Sequence, residues 1–243
     1  MKLLRGLAAG DLALIAGDRT AQFLVFYPLI LGLAVRFGLE PLNQRLPIDL
    51  EPYYLLIVSL LIAVMAPVVI GTVTGLMVLD EKDTRTLLAL RVTPLSLKAY
   101  LAWRAGVPVA LYCGSALLLA YMLGPHVAPR GPGWIVLAAL AAAPFMVASA
   151  LLISGLAENK VQGLALSKGL GPFIVAAMVA WWVPEPWQWL LGVFPSYWPV
   201  KLYWHMTEGV SVLVPLIGTA VCGTVWIWAL AHLFLRRLAR HLV

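Results

Sequence analysis

The chain has 243 residues, 62% of them hydrophobic and only 12% charged, with a formal net charge of +6 and a mean hydropathy of +0.92. Soluble domains carry roughly 25% charged and 45–50% apolar residues, so a water-soluble fold is excluded and the chain reads as an all-α, polytopic membrane protein. A basic nucleic-acid binder is excluded too, because most Lys and Arg residues flank apolar runs, where they act as topology signals.

Met1–Thr20 carries Lys2 and Arg5, but its apolar stretch is broken by Gly10, Asp11, Gly17 and Asp18. That interruption argues against a signal peptide. Leu3, Leu4, Leu7, Leu12, Leu14 and Ile15 instead predict a short amphipathic helix lying in the headgroup plane.

A bilayer-crossing helix needs about 20 apolar residues. Six runs qualify or nearly do: 21–37, 53–79, 105–123, 134–156, 164–183 and 210–235. Pro67 marks a kink in the second. Lys168, Gly169, Gly171 and Pro172 interrupt the start of the fifth. Six crossings put both termini on one side. Thirteen of the Lys and Arg residues then lie on the terminal side and four on the other, so the positive-inside rule makes both termini cytoplasmic. The expected location is the cell (inner or plasma) membrane.

Between the second and third spans lies the largest charged cluster, Asp80–Arg104, with eight charged residues: Asp80, Glu81, Lys82, Asp83, Arg85, Arg91, Lys98 and Arg104. A charged internal loop in so apolar a chain points to a partner in the aqueous phase. A second cytoplasmic loop, with Glu158, Asn159 and Lys160, joins the fourth and fifth spans. On the outer side, 184–209 contains Trp187, Trp189, Tyr197, Trp198 and Trp204, amphipathic aromatics of the kind that gather at the membrane–water boundary. Its prolines (184, 186, 195, 199) forbid one continuous helix, so two short interfacial or re-entrant helices are expected.

Catalytic chemistry needs reactive groups converging at one depth, and no such set is visible. His126, His205, His232 and His241 are scattered. His205 and Glu208 share a helix face, but no further ligand of the right type stands near them for a metal site. Cys113 and Cys222 lie in apolar runs and read as small core residues rather than a disulfide or metal pair. No HExxH, GxSxG or GxxxxGK[ST] occurs, so no Walker loop binds ATP. Lys168 is the lone ionisable candidate inside a span, and a proton-coupled transporter usually needs more. If the chain moves something uphill, its energy arrives from another subunit.

The segment EKDTRTLLALRVTPLSLKAYLAWR resembles the first cytoplasmic loop of ABC type-2 (exporter) permease subunits. Glu81, Lys82 and Asp83 match that family's charged cluster, Thr86 and Leu87 its Thr-Leu, and Ala89, Leu90, Val92, Thr93 and Pro94 the remainder. Arg85 stands where Gly is usual and Leu88 where Glu is usual. DLALIAGDRTAQFLVFYPLILGLAVRFG is similar to the family's entry helix running into span one, GLAENKVQGLALSKGLG to its second cytoplasmic loop, and LLGVFPSYWPVKLYW to its outer segment before span six.

The resemblance implies one permease domain over the whole chain, paired as a homodimer or heterodimer and docked on two cytoplasmic ATP-binding-cassette subunits that carry ATP and Mg. It implies an ATPase-coupling helix over Asp80, Glu81, Lys82, Asp83, Thr84, Arg85, Thr86, Leu87, Leu88 and Leu90, whose charges make rim ion pairs with the ATPase. The cargo would be hydrophobic or amphipathic (a drug, lipid or peptide) and would pass between protomers against spans two and five. No cofactor is expected in the chain itself. Two other readings stay open: a membrane-embedded lipid-modifying enzyme using His205 and Glu208, and a non-transporting scaffold using the outer aromatic segment.

Overall fold

The structure is a computed structural model and describes residues 16, 17, 19–84, 97–124 and 131–241. Among these the regular elements are helices. They are α1 (Arg19–Arg45); a 3-10 turn (Glu51–Tyr53); α2 (Tyr54–Leu60), a π-helical segment (Leu61–Met65) and α3 (Ala66–Asp83) in unbroken succession; α4 (Leu97–Leu123); α5 (Pro132–Leu156); α6 (Lys160–Ser167); a 3-10 turn (Lys168–Leu170); α7 (Gly171–Val179); a 3-10 helix (Trp187–Val193); α8 (Tyr197–Glu208); and α9 (Leu213–His241).

Five helical stretches among the described residues are long and apolar enough to cross a membrane: Glu51–Asp83, Trp103–Leu123, Pro132–Leu156, Lys160–Val179 and Leu213–Arg236. They correspond to the second to sixth expected spans. The first expected span lies inside α1, whose 27 residues reach about 40 Å at the helical rise of 1.5 Å per residue. The amphipathic entry segment, up to residue 15, lies outside the described residues.

Helix ends depart from the hydropathy reading. The helix of the fifth expected span begins at Lys160 and ends at Val179, not Val183, and 180–182 form turns before Pro184. Pro172 cannot donate to the ladder, and the helix tightens into a 3-10 turn just before it. α9 starts at Leu213 rather than 210 and runs on to His241. α4 starts at Leu97, eight residues before its apolar run. Where a helix outruns its apolar run, at Lys160, Leu97 and His241, the backbone keeps its helical hydrogen bonds past the apolar stretch, and hydropathy registers only the apolar part.

The stretch Glu51–Asp83 forms the centre of the molecule, with 83% of its most apolar window buried, against 28% for Lys160–Val179 and 22% for Leu213–Arg236. Gly71 and Gly75, four apart, lie on one face of α3 and let it approach α5 closely. A Cβ on Gly71 would collide with Met146 O, and one on Gly75 would stand 2.9 Å from Ala150 O. Small residues at such contacts let membrane helices gain dispersion energy where no hydrophobic drive exists. Two apolar clusters meet along this central helix. One gathers around Ile62, Tyr112, Met146 and Tyr203, the other around Leu79, Phe145, Phe173 and Trp204. The central helix therefore has little surface left exposed, whereas Lys160–Val179 keeps a large exposed face.

Candidate functional site: the charged end and the aromatic end

The bundle has two chemically distinct ends. At the charged end, α3 does not stop at the last apolar residue but continues through Asp80, Glu81, Lys82 and Asp83. Thr84 closes it: its amide (3.0 Å) and its hydroxyl (2.8 Å) both donate to Asp80 O. The first members of the expected coupling helix are thus the final turn of the central helix. Arg85, Thr86, Leu87, Leu88 and Leu90 lie outside the described residues.

The four charged side chains of that turn have different tasks. Glu81 turns inward. It pairs with Arg104 of α4 and accepts from the Tyr100 hydroxyl, with the Arg104 and Glu81 side chains only 8% and 14% exposed. Burial, and secondly the Glu81 charge, raise the Tyr100 phenol above its ordinary value, so it remains a donor. Breaking a buried pair by removing one partner costs about 3–5 kcal/mol. Glu81 therefore locks the end of α3 to the first turns of α4, rather than reaching for a rim contact.

Lys82 points at a different helix. Its Nζ donates to Ser154 O at 3.1 Å and lies 5.9 Å from the centre of the Phe234 ring. Ser154 O belongs to the last turn of α5, where carbonyls lack helical donors and the dipole attracts cations. Lys82 thus caps α5 from the side and touches α9. Asp80 reaches the second loop: Lys160 Nζ stands 3.0 Å from Asp80 Oδ2, with both side chains about one-third exposed. Asp83 is exposed, as are Glu158 and Asn159.

The second loop folds for a local reason. Asn159 is the N-cap of α6 and accepts from the Gln162 amide at 3.0 Å, while the Gln162 side chain accepts from the Glu158 amide at 2.7 Å. This reciprocal pair resembles a capping box and turns Lys160 toward Asp80. Gly163 completes the approach, since a Cβ there would press on Leu79 and Leu76 at 2.7 and 2.9 Å. The two predicted loops therefore meet at Asp80–Lys160. Sequence reasoning named Asp80, Lys160 and Arg104 but not which charges pair, and gave Tyr100 and Ser154 no part at this end; the NxxQ spacing at Asn159–Gln162 was the available signal for the cap.

At the aromatic end the segment 184–209 holds a 3-10 helix, Trp187–Val193, and α8. Gly209, at φ +75°, ends α8 in the left-handed region, and Val210 N–H closes back on His205 O. The five predicted aromatics divide into two groups. Trp187 and Trp189 are exposed. Trp198, Tyr197 and Trp204 serve packing. Trp198 donates to Gly192 O at 2.7 Å and lies over Gly218, which has no side chain to oppose it. Tyr197 is buried and donates to Gln188 Oε1 at 3.2 Å; burial, then the Glu185 charge, push its phenol up to about 12. Trp204 is buried, and its Nε1 donates to Ser59 Oγ of α2 at 2.9 Å.

Lys201 ties this segment together, donating to Glu185 at 2.5 Å and to Gln188 at 2.9 Å. The Lys201 hydrogen bond, with its charge, holds the Glu185 carboxyl below the usual range. His205 does not join Glu208 in a site; its Nδ1 lies 2.6 Å from Ser211 O. Among the described residues no group of three or more His, Cys, Asp and Glu side chains is placed to hold a metal ion.

Comparison with known proteins places this geometry in context. Residues 11–231 match the family described as "Fluoroquinolones export permease protein Rv2686c-like". Two Mycobacterium tuberculosis proteins are similar to the chain, each 31% identical over 225 residues, which is 89% of this chain and 88% of the relative. They are the fluoroquinolones export permease proteins MT2760 (strain CDC 1551 / Oshkosh) and Rv2686c (strain ATCC 25618 / H37Rv). No solved structure matches.

Proposed function

The chain belongs to the Rv2686c-like fluoroquinolones export permease family, and from that premise we propose that it is the membrane subunit of an ATP-binding-cassette exporter for a fluoroquinolone-like cargo. The family and the apolar helices make it a multi-pass membrane permease of an exporter. In this proposal the chain couples to a separate ATPase, works as a dimer, and crosses the membrane a sixth time through α1, which puts both termini in the cytoplasm.

The observation that carries the reading is the junction of the two charged segments at Asp80–Lys160. Under positive-inside topology this junction faces the cytoplasm, where an ATPase would dock. Glu81 clamps α3 to α4, Lys82 caps α5, and Asp80 holds α6. A push on the segment after Thr84 would therefore reach four helices at once. Asp83 and Glu158, both exposed, supply charges for the ATPase rim, where they favour orientation and encounter more than affinity. A fluoroquinolone is a flat aromatic acid bearing an amine, which fits an amphipathic cargo. Dimerisation would lay the cargo path against the exposed face of Lys160–Val179 rather than against the buried central helix.

The test is association. The full chain, co-expressed with its candidate Walker-motif ATPase, retains that ATPase on purification in mild detergent. The triple change Asp83→Ala, Arg85→Ala, Glu158→Ala weakens retention, and the reading is wrong if retention is unaffected.

A further inference from the structure

We infer that the central stretch Glu51–Asp83 is jointed at its π segment, and that Pro67 and Tyr112 are the residues that position the joint for transport. The inference rests on the permease reading for its transport part but not for its structural part. The backbone register locates the joint. Ala66 N–H donates to Leu61 O, five residues back, and so skips Ile62 O. The next residue able to serve Ile62 O is at position 67, which is proline and has no N–H. A fully buried carbonyl is thereby left without a donor from its own helix.

Tyr112 of α4 supplies the missing donor. Its hydroxyl donates to Ile62 O at 2.7 Å, and the whole side chain is buried. A bond from another helix thus replaces a rung of the ladder. Single π turns inside α-helices mark functional positions more often than chance, and a helix bends where its ladder is interrupted.

The two halves of the stretch are anchored to different parts of the molecule. α2 is held at the aromatic end, where Ser59 accepts from Trp204, which itself packs edge-on to Trp181 at 5.1 Å. α3 is held to α5 along Gly71 and Gly75 and, at the charged end, through Lys82–Ser154 O and Asp80–Lys160. Residues 61–67 are the weakest part of the helix between these anchors. Any displacement of the charged end relative to the aromatic end has to be absorbed there. Tyr112 limits how far the joint opens, and Pro67 keeps it from closing into an ordinary ladder.

Amide hydrogen exchange on the full-length protein in detergent micelles tests the joint directly. Amides of 62–68 should exchange about tenfold faster than those of 72–79. Tyr112→Phe should speed exchange further in 62–68 alone. Pro67→Ala restores an N–H and should slow it there by about tenfold. The functional arm is ATP-driven uptake of ciprofloxacin by inverted vesicles containing the chain and its ATPase. Pro67→Ala should lower uptake at least about fivefold while raising the midpoint of thermal unfolding, a combination that a merely structural proline would not give.

Uniform exchange over 55–80 in the wild type overturns the joint. So does Pro67→Ala with slowed exchange and undiminished uptake. Absence of uptake by wild-type vesicles counts against the cargo reading instead, and the exchange arm then decides the joint alone. Tyr112→Phe, which removes one oxygen, carries the test if Pro67→Ala does not insert.

Discussion

Lys160 Nζ lies 3.0 Å from Asp80 Oδ2, joining two charged segments that stand eighty residues apart in the chain. Both side chains are about one-third exposed, so the pair contributes only about 0.2–1 kcal/mol to stability. Its value lies in position, because it ties the end of the central helix to the start of α6. Asp80→Lys or Lys160→Asp alone should therefore leave thermal stability almost unchanged but reduce cargo uptake several-fold. The double exchange should restore most of the uptake. Equal loss in the single and double variants would show that the contact does not transmit motion.

The Glu81–Arg104 pair should behave in the opposite way. It is buried, and Tyr100 donates into it. Arg104→Ala leaves a carboxylate in a poorly solvated place and should lower stability by about 3–5 kcal/mol. Chemical denaturation in detergent measures this, and a loss below about 1 kcal/mol, the surface-pair range, would contradict the buried assignment.

Close approach of α3 and α5 predicts strong position dependence among glycines. Gly71→Ala forces a methyl group against Met146 O and should destabilise by about 1–3 kcal/mol. Gly38→Ala lies in α1 with nothing within 4 Å and should stabilise by up to about 1 kcal/mol through helix propensity. Equal effects at the two positions in thermal unfolding would mean that the helices are not in contact at Gly71.

The aromatic end predicts a pH dependence with a definite sign. Lys201 holds the Glu185 carboxyl below its ordinary value, so this pair stabilises the fold above the ordinary glutamate range. That contribution is lost as the pH falls through the lowered folded value. The Glu185 side chain is 59% exposed, so solvent screening keeps the effect small. Limited proteolysis of the segment around 184–209 should therefore accelerate at acidic pH in the wild type and be flat over the same range in Glu185→Gln.

Much of the fold was legible in composition. Five apolar runs became five membrane-length helices, because burying backbone polar groups in lipid forces helical hydrogen bonding. Helix ends were less legible. Asp80–Asp83 and 97–104 read as loop by hydropathy, yet both continue a helix. Hydropathy records where the bilayer stops, whereas the helix stops where Thr84 caps it. Pro67 announced a kink, but the π register that precedes it depends on which carbonyl Tyr112 reaches, and that is a tertiary fact.

The candidate site was legible as a set of residues and not as an arrangement. Asp80, Glu81, Lys82 and Asp83 form one sequence cluster with one expected task. In three dimensions a helical turn separates them by about 100° per residue, so Asp80, Glu81 and Lys82 meet three different elements while Asp83 stays exposed. The aromatic segment separates in the same way. Trp204 is buried against Ser59 while Trp187 and Trp189 are exposed, and an aromatic count cannot distinguish these.

The most direct test of the proposal is ATP-driven uptake of ciprofloxacin by inverted membrane vesicles holding this chain and its ATPase, compared with vesicles carrying the ATPase alone and with Asp80→Lys. The account predicts uptake that requires both proteins and ATP, falls several-fold in Asp80→Lys and returns when Lys160→Asp is added. Uptake that is equal without this chain, or indifferent to ATP, would contradict it.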